Sequence, residues 1–209
     1  MRIALIHALR HSPPPIEAAF RELWPAPTLM NLLDDSLSAD LARDGQLTPA
    51  MTARFLALAD YAVKTGAKGI LFTCSAFGPC IDAVKAAHPD IPVLKPNEAM
   101  IGEAAALGGP IGLLATFAPT LQSMPPEFPA DINLKPLFIA GAMAALDAGK
   151  PEEHDRLVRA AVQGFEGCKA IALAQFSLAR AQAVVHEVTG LPVLTTPHSA
   201  VRKLKSLLA

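Results

Sequence analysis

Thr73-Cys74-Ser75 sets a hydroxyl, a thiol and a second hydroxyl side by side, directly after the apolar run Ile70-Leu71-Phe72. A short bulky run between glycines reads as a buried strand. Ile81, Val84 and Lys85 then recur at helical spacing. Ligands of open parallel sheets bind beyond the carboxyl ends of the strands. Cys74 is therefore expected at a strand tip, beside the first amides of a helix. That setting lowers a thiol's pKa and equips it for proton transfer or nucleophilic attack. Cys80 and Cys168 lack it and read as small buried hydrophobes.

The same pattern returns later in the chain. Ile70-Leu-Phe-Thr-Cys74-Ser-Ala76 parallels Ile171-Ala-Leu-Ala-Gln175-Phe-Ser177, Ile91-Pro-Val-Leu94 parallels Leu191-Pro-Val-Leu194, and Pro96-Asn97-Glu98-Ala99 parallels Pro197-His198-Ser199-Ala200. Ile3-Ala-Leu-Ile6 likewise parallels Ile111-Gly-Leu-Leu114. Four matches in one order imply two similar lobes facing one another, with Cys74 and Gln175 at equivalent points.

Further polar residues fall at the expected strand tips. His7 closes the first strand and either touches ligand or is a hydrogen-bonded structural histidine. Arg10 is a carboxylate clamp or a solvated loop charge, the second being favoured. Asn97 either caps the helix after it or offers its amide to a carboxylate. Thr116 and Thr120, around Phe117, make a hydroxyl-lined anion site or, for Thr116, a helix cap. Ser177 follows Gln175. His198 stands where Asn97 stands in the other half, as a cap, a support for another side chain or a catalytic group. Asp34 and Asp35 have no further ligand at metal spacing and read as capping and loop residues, with Ser36 an outlying site candidate. His154 and Asp155 lie in an exposed-looking first helical turn and read as surface.

The elements that must position these groups alternate. Strands are expected at Arg2–His7, Thr28–Leu33, Ile70–Phe72, Ile91–Leu94, Ile111–Ala115, Leu137–Ile139, Lys169–Ala174 and Pro192–Thr195. The intervening helices include Glu17–Trp24 and one opened by Thr48-Pro49 with Met51, Phe55, Leu58 and Ala62 on one face and Gly66 at its end. Others run from Asn97 to Leu107, from Pro151, after Ser177, and through Val201, Leu204 and Leu208. This alternation implies an α/β fold of two pseudo-equivalent lobes, parallel sheets flanked by helices, with the site in the cleft between them. The lobes are expected as 1–96 plus 197–209, and 97–196.

Composition narrows the function classes. Of 209 residues 52% are hydrophobic and 18% charged, which implies a well-packed core. A net charge of −1 without a basic run argues against nucleic acid or an anionic membrane as partner. No apolar run approaches a membrane span, the N-terminus enters a strand without a signal peptide, and three unpaired cysteines fit a reducing cytoplasm. Phosphate loops of the Gly-rich type follow no strand, so nucleotide binding is unsupported.

Ile70-Leu-Phe-Thr-Cys74-Ser-Ala76, the threonines of Ala115-Thr116-Phe117-Ala118-Pro119-Thr120 and the duplicated lobes together resemble the aspartate/glutamate/hydantoin racemase superfamily. The resemblance implies a cofactor-independent isomerase with no metal, acting on a small carboxylic acid and assembled as a homodimer or higher homo-oligomer. In that superfamily a cysteine on each lobe faces the substrate's α-carbon, one removing the proton and the other returning it. Cys74 is then the first acid/base. Thr73, Ser75, Asn97, Thr116 and Thr120 stand where carboxylate donors are expected, with Ala76, Phe117, Ser177 and His7 beside them. The second cysteine is replaced by Gln175, whose amide exchanges no useful proton near neutral pH; His198 or Ser177 would have to stand in. One-thiol relatives, the arylmalonate decarboxylases, and maleate isomerase-like members with a nucleophilic cysteine are the alternatives. A non-catalytic carboxylate-binding protein is the reading from another class.

Overall fold

The computed structural model describes residues 1–209, which form two compact units, Met1–Ala99 with Ala200–Ala209, and Met100–Ser199. Each unit carries a four-stranded parallel sheet. In the first, β1 (Arg2–His7), β2 (Thr28–Leu33), β3 (Ala67–Phe72) and β4 (Val93–Leu94) lie in the order β2-β1-β3-β4. In the second, β5 (Ile111–Ala115), β6 (Leu134–Phe138), β7 (Ala170–Leu173) and β8 (Val193–Thr195) lie in the order β6-β5-β7-β8. Parallel strands of one sheet need long crossovers, and these are helical. The helices are α1 (Pro13–Leu23), α2 (Ser36–Asp44), α3 (Pro49–Lys64), α4 (Gly78–Ala87), α5 (Glu98–Leu107), α6 (Thr120–Ser123), α7 (Ala142–Asp147), α8 (Pro151–Ala161), α9 (Gln182–Thr189) and α10 (Thr196–Leu208); α5 follows the last strand of the first sheet and α10 the last strand of the second. No helix is long and apolar enough to cross a membrane.

The registers reproduce the repeat at the strand ends, although the β1–β3 ladder shifts register between Arg2 and Ile3 and the β5–β7 ladder does not. Ile70 pairs with Val93 as Ile171 pairs with Val193. Beyond the ladders, the Thr73 N–H donates to the Ile6 carbonyl at 3.0 Å and the Ala174 N–H to the Leu114 carbonyl at 2.9 Å. Cys74 and Gln175 each follow that last inter-strand bond by one residue.

Central strands covered on both faces read as unbroken apolar runs, and β3, β5 and β7 are buried almost throughout. On the first sheet Phe55 of α3 meets Phe72 at 5.2 Å and Phe77 at 5.0 Å between ring centroids. Burying side chains of this size contributes about 1.5–3 kcal/mol each. Thr48 caps α3 through Met51 N–H at 3.3 Å, Pro49 fills its first turn, and Met51, Phe55 and Ala62 are buried. Leu204 and Leu208 of α10 reach Gly69 on β3, where an added Cβ would lie 2.9 Å from Leu208 Cδ1. The glycine is the space for that helix.

Several elements differ from the sequence reading. Helix α1 begins at Pro13, not Glu17, because prolines suit a first turn whose N–H groups have no intrahelical partner. Helices α2 and α7 extend the sequence reading: α2 rests on one i,i+4 pair, Leu37 and Leu41, and α7 on the small pair Ala142 and Ala145, too few positions to mark a helix in the sequence. The helix expected from Pro151 starts there and ends at Ala161, with Val162 and Phe165 beyond it packed in the core. The segments after β3 and β7 open as 3₁₀ turns, Ser75–Phe77 and Ser177–Ala181.

Candidate active site

Cys74 is half-buried in extended backbone, with the Ser75–Phe77 turn separating it from α4. Burial pushes its thiol up, and a hydrogen bond from the Ala76 backbone offsets only part of that. The lowered pKa expected from a helix N-terminus is therefore corrected. A helix dipole falls off within its first turn, and α4 starts only at Gly78. Desolvation favours the neutral thiol. Ser75 is half-buried and Ala76 exposed.

Behind Cys74 lies a polar chain. His7, 1% exposed at the end of β1, bonds Thr73 Oγ1 through Nδ1 at 2.8 Å and Asn31 Oδ1 through Nε2 at 2.9 Å. Asn31 Nδ2 donates to Glu17 Oε1 at 2.7 Å. Burial pushes the His7 imidazole below its ordinary value, against the opposing pull of Asn31 and the Glu17 charge. Thr73, expected at this tip, is thus brought to His7; Asn31 and Glu17 were missed. The available signal was Asn31 itself, the one polar residue within the apolar run from Leu29 to Leu33. Asn97 is buried immediately before α5, and its Nδ2 has no hydrogen-bond partner.

In the second unit, Gln175 Oε1 accepts from the Thr116 N–H at 2.6 Å and from Thr116 Oγ1 at 2.9 Å. Two donors on one oxygen fix which way the amide faces. The Thr116 hydroxyl proton is engaged by this bond. Thr120 is buried at the start of α6, its N–H on the Phe117 carbonyl at 3.1 Å, while the Phe117 ring is exposed. Ser177 is half-buried at the start of its 3₁₀ turn. His198 Nδ1 lies 2.7 Å from Thr195 Oγ1, which also accepts the His198 N–H at 3.4 Å. Phe77 and Phe176 are interior packing residues.

Other charged candidates resolve into structure. Arg10 is exposed and pairs with Asp35 at 2.5 Å. Asp34 receives Arg54 and the Ser36 hydroxyl, so Ser36 serves this cluster. His154 is corrected from surface to core: its side chain is fully buried, with Nδ1 on Asp155 at 2.7 Å. Asp155 in turn takes a two-pronged contact from Arg180 at 2.9 and 3.0 Å. The helical face that appeared exposed turns inward because 3₁₀ residue Arg180 packs against α8 through Asp155. Cys80 and Cys168 are buried as expected.

Comparison with known proteins bears on the fold and the family. A comparison with curated proteins gave no significant match. Among solved structures, glutamate racemase from Francisella tularensis in complex with D-glutamate is similar at 16% identity and TM-score 0.65, covering 99% of this chain and 80% of that one. Allantoin racemase from Klebsiella pneumoniae is similar at 19% identity and TM-score 0.68, covering 100% and 87%. Picrophilus torridus aspartate racemase is similar at 10% identity and TM-score 0.69, covering 99% and 93%. These likenesses establish the fold. The family described as Asp/Glu/Hydantoin racemase matches residues 5–204. The chain belongs to the Asp/Glu/hydantoin racemase family, whose racemases are isomerases.

Proposed function

We propose that the protein is a cofactor-independent enzyme that transfers a proton at the carbon next to the carboxylate of a small acid, with Cys74 as the acid/base. The observation that carries this reading is the register equivalence of Cys74 and Gln175, one thiol and one amide at matching strand tips of a racemase-family chain. An α-proton beside a carboxylate is weakly acidic, so the enediolate-like state needs hydrogen-bond donors on its oxygens and a positioned acid. The Cys74 S–H bond breaks as the new C–H bond forms from the enediolate electron pair. Sulfur is left as thiolate, which either takes the α-proton in the reverse direction or is reprotonated by solvent. Gln175 cannot perform the mirror step, because its amide holds its protons. With Oε1 engaged by Thr116, its Nε2 hydrogens are the ones available to a carboxylate.

The single thiol, with an amide at the equivalent tip, supports a second reading, a one-thiol decarboxylation in which loss of carbon dioxide creates the carbanion and Cys74 protonates it from one face. Turnover in heavy water separates the two, using amino, hydroxy and aryl-substituted mono- and dicarboxylic acids with wild type and Cys74→Ala. Label uptake with loss of optical purity supports a racemase and calls for a second proton donor, with His198 tested next. Labelled product of one configuration with carbon dioxide release supports the decarboxylase. Ligand binding without turnover in either protein would sink both and leave a carboxylate-binding protein.

A further inference from the structure

The Glu17–Asn31–His7–Thr73 chain is unused by that proton transfer, and its hydrogen positions can be worked out from one end. An ionised carboxylate only accepts, so the nitrogen of Asn31 faces Glu17 at 2.7 Å and its oxygen faces His7 at 2.9 Å. His7 Nε2 must therefore carry hydrogen. In the neutral ring Nδ1 is then bare, and the 2.8 Å bond to Thr73 is donated by the threonine hydroxyl. Its other acceptor, the Ile6 carbonyl, is 3.4 Å away and already takes the Thr73 N–H at 3.0 Å. Resting Thr73 thus turns its proton inward and offers a ligand only lone pairs, the opposite of a carboxylate donor. The equivalent positions in the second unit, Ala115 and Ala174, carry no polar side chain.

We propose that His7 is a proton-coupled positioning residue: an anionic group arriving at the β3 tip is met by proton uptake from solvent at His7 Nδ1, which turns the Thr73 hydroxyl from inward donor to ligand-facing donor. The new Nδ1–H then donates to Thr73 Oγ1, and the threonine O–H, its bond intact, turns to donate a hydrogen bond to the anion. Asn31 keeps accepting from Nε2 in both states. The charges around His7 fit this exchange. From α1, Glu17 faces the far end of the chain and favours the imidazolium. From the loop after β2, Asp34 donates its backbone N–H to the His7 carbonyl at 3.0 Å, while its carboxylate is committed to Arg54 of α3 and to Ser36. Arg10 and Asp35 form their own exposed pair. From β3, Cys74 follows Thr73 as a neutral thiol. Burial leaves the resting ring neutral near pH 7, and an incoming anion supplies the missing counter-charge. The inference rests on the reading that a carboxylate sits at this tip.

Histidine ¹⁵N spectroscopy of the full chain, with malonate as probe, tests it. The resting protein is expected to show His7 as the Nε2–H tautomer, and saturating malonate to protonate Nδ1. Calorimetry in buffers of different ionisation heat should report uptake of one proton per malonate. Affinity should then rise by about tenfold for each pH unit of acidification between the free and bound pKa values of His7. Glu17→Gln, a change on a half-exposed helix position, should lower both the proton uptake and the affinity at fixed pH. Thr73→Val should leave weak binding with no uptake. A resting Nδ1–H tautomer, malonate binding without proton uptake, or no malonate binding across the pH range would overturn the proposal. Absence of turnover by Cys74 would remove the catalytic reading and leave these results untouched.

Discussion

The charge state of Cys74 separates two physical arguments, dipole against desolvation. A thiol at the ordinary pKa of about 8.5 is about 3% thiolate at pH 7. Burial raises Cys74 above its ordinary value and the Ala76 backbone recovers only part, so the thiolate population must be smaller. Alkylation by iodoacetamide at pH 7 should therefore be slower than that of a free thiol, by about a factor of ten for every pH unit by which the pKa is raised. The rate should keep climbing past the pH at which a free thiol levels off. Cys74→Ala should abolish the reaction, since Cys80 and Cys168 are buried. Turnover follows the same sign. If the neutral thiol delivers the proton, activity holds through neutral pH and falls as pH rises through the raised pKa. If thiolate is the working form, activity climbs about tenfold per pH unit over that range. A measured Cys74 pKa at or below the free-thiol value would refute the desolvation argument and restore the helix-terminus one.

Gln175→Cys restores a thiol at the equivalent tip; in heavy water it should increase label exchange with loss of optical purity, and unchanged stereochemistry would count against the pseudo-symmetric reading. Gly112→Ala places a Cβ 2.6 Å from both Ile171 Cδ1 and Phe165 Cδ1. Such overpacking costs about 1–3 kcal/mol, read as a lower urea midpoint at constant slope; an unshifted midpoint would mean that the ring moves aside. Asp155→Ala leaves buried His154 Nδ1 without its partner, a loss of about 1–3 kcal/mol by denaturation. Burial pushes Asp34 up, but Arg54 and Ser36 outweigh it and hold the carboxyl below its usual range. Its contribution is present above the ordinary carboxylate pKa, about 3.9, and is lost as pH falls through the lower folded value. Arg54→Met should flatten that acid limb of the stability profile, and an unaltered limb would place the acid sensitivity elsewhere.

Local chemistry made much of the protein legible from its residues. Apolar runs ending in small polar groups mark β3 and β7, the strand Thr28–Leu33 reads true to the residue, and Thr48-Pro49 announces α3 through capping alone. The repeat, and with it the equivalence of Cys74 and Gln175, is visible because buried parallel strands must be apolar throughout. Helices α2 and α7 were hidden, since a helix with only two buried positions shows too little of a period to stand out. The direction of each polar side chain belongs to the tertiary structure. Thr73 and Thr116 look alike in the sequence, yet one bonds a histidine 66 positions away and the other a glutamine 59 positions away. Each hydroxyl has one proton to give, and a partner distant in sequence claims it. The pKa of Cys74 was decided in the same way: the sequence shows the helix that follows, but only packing determines how far it stands from the sulfur and how much water is removed.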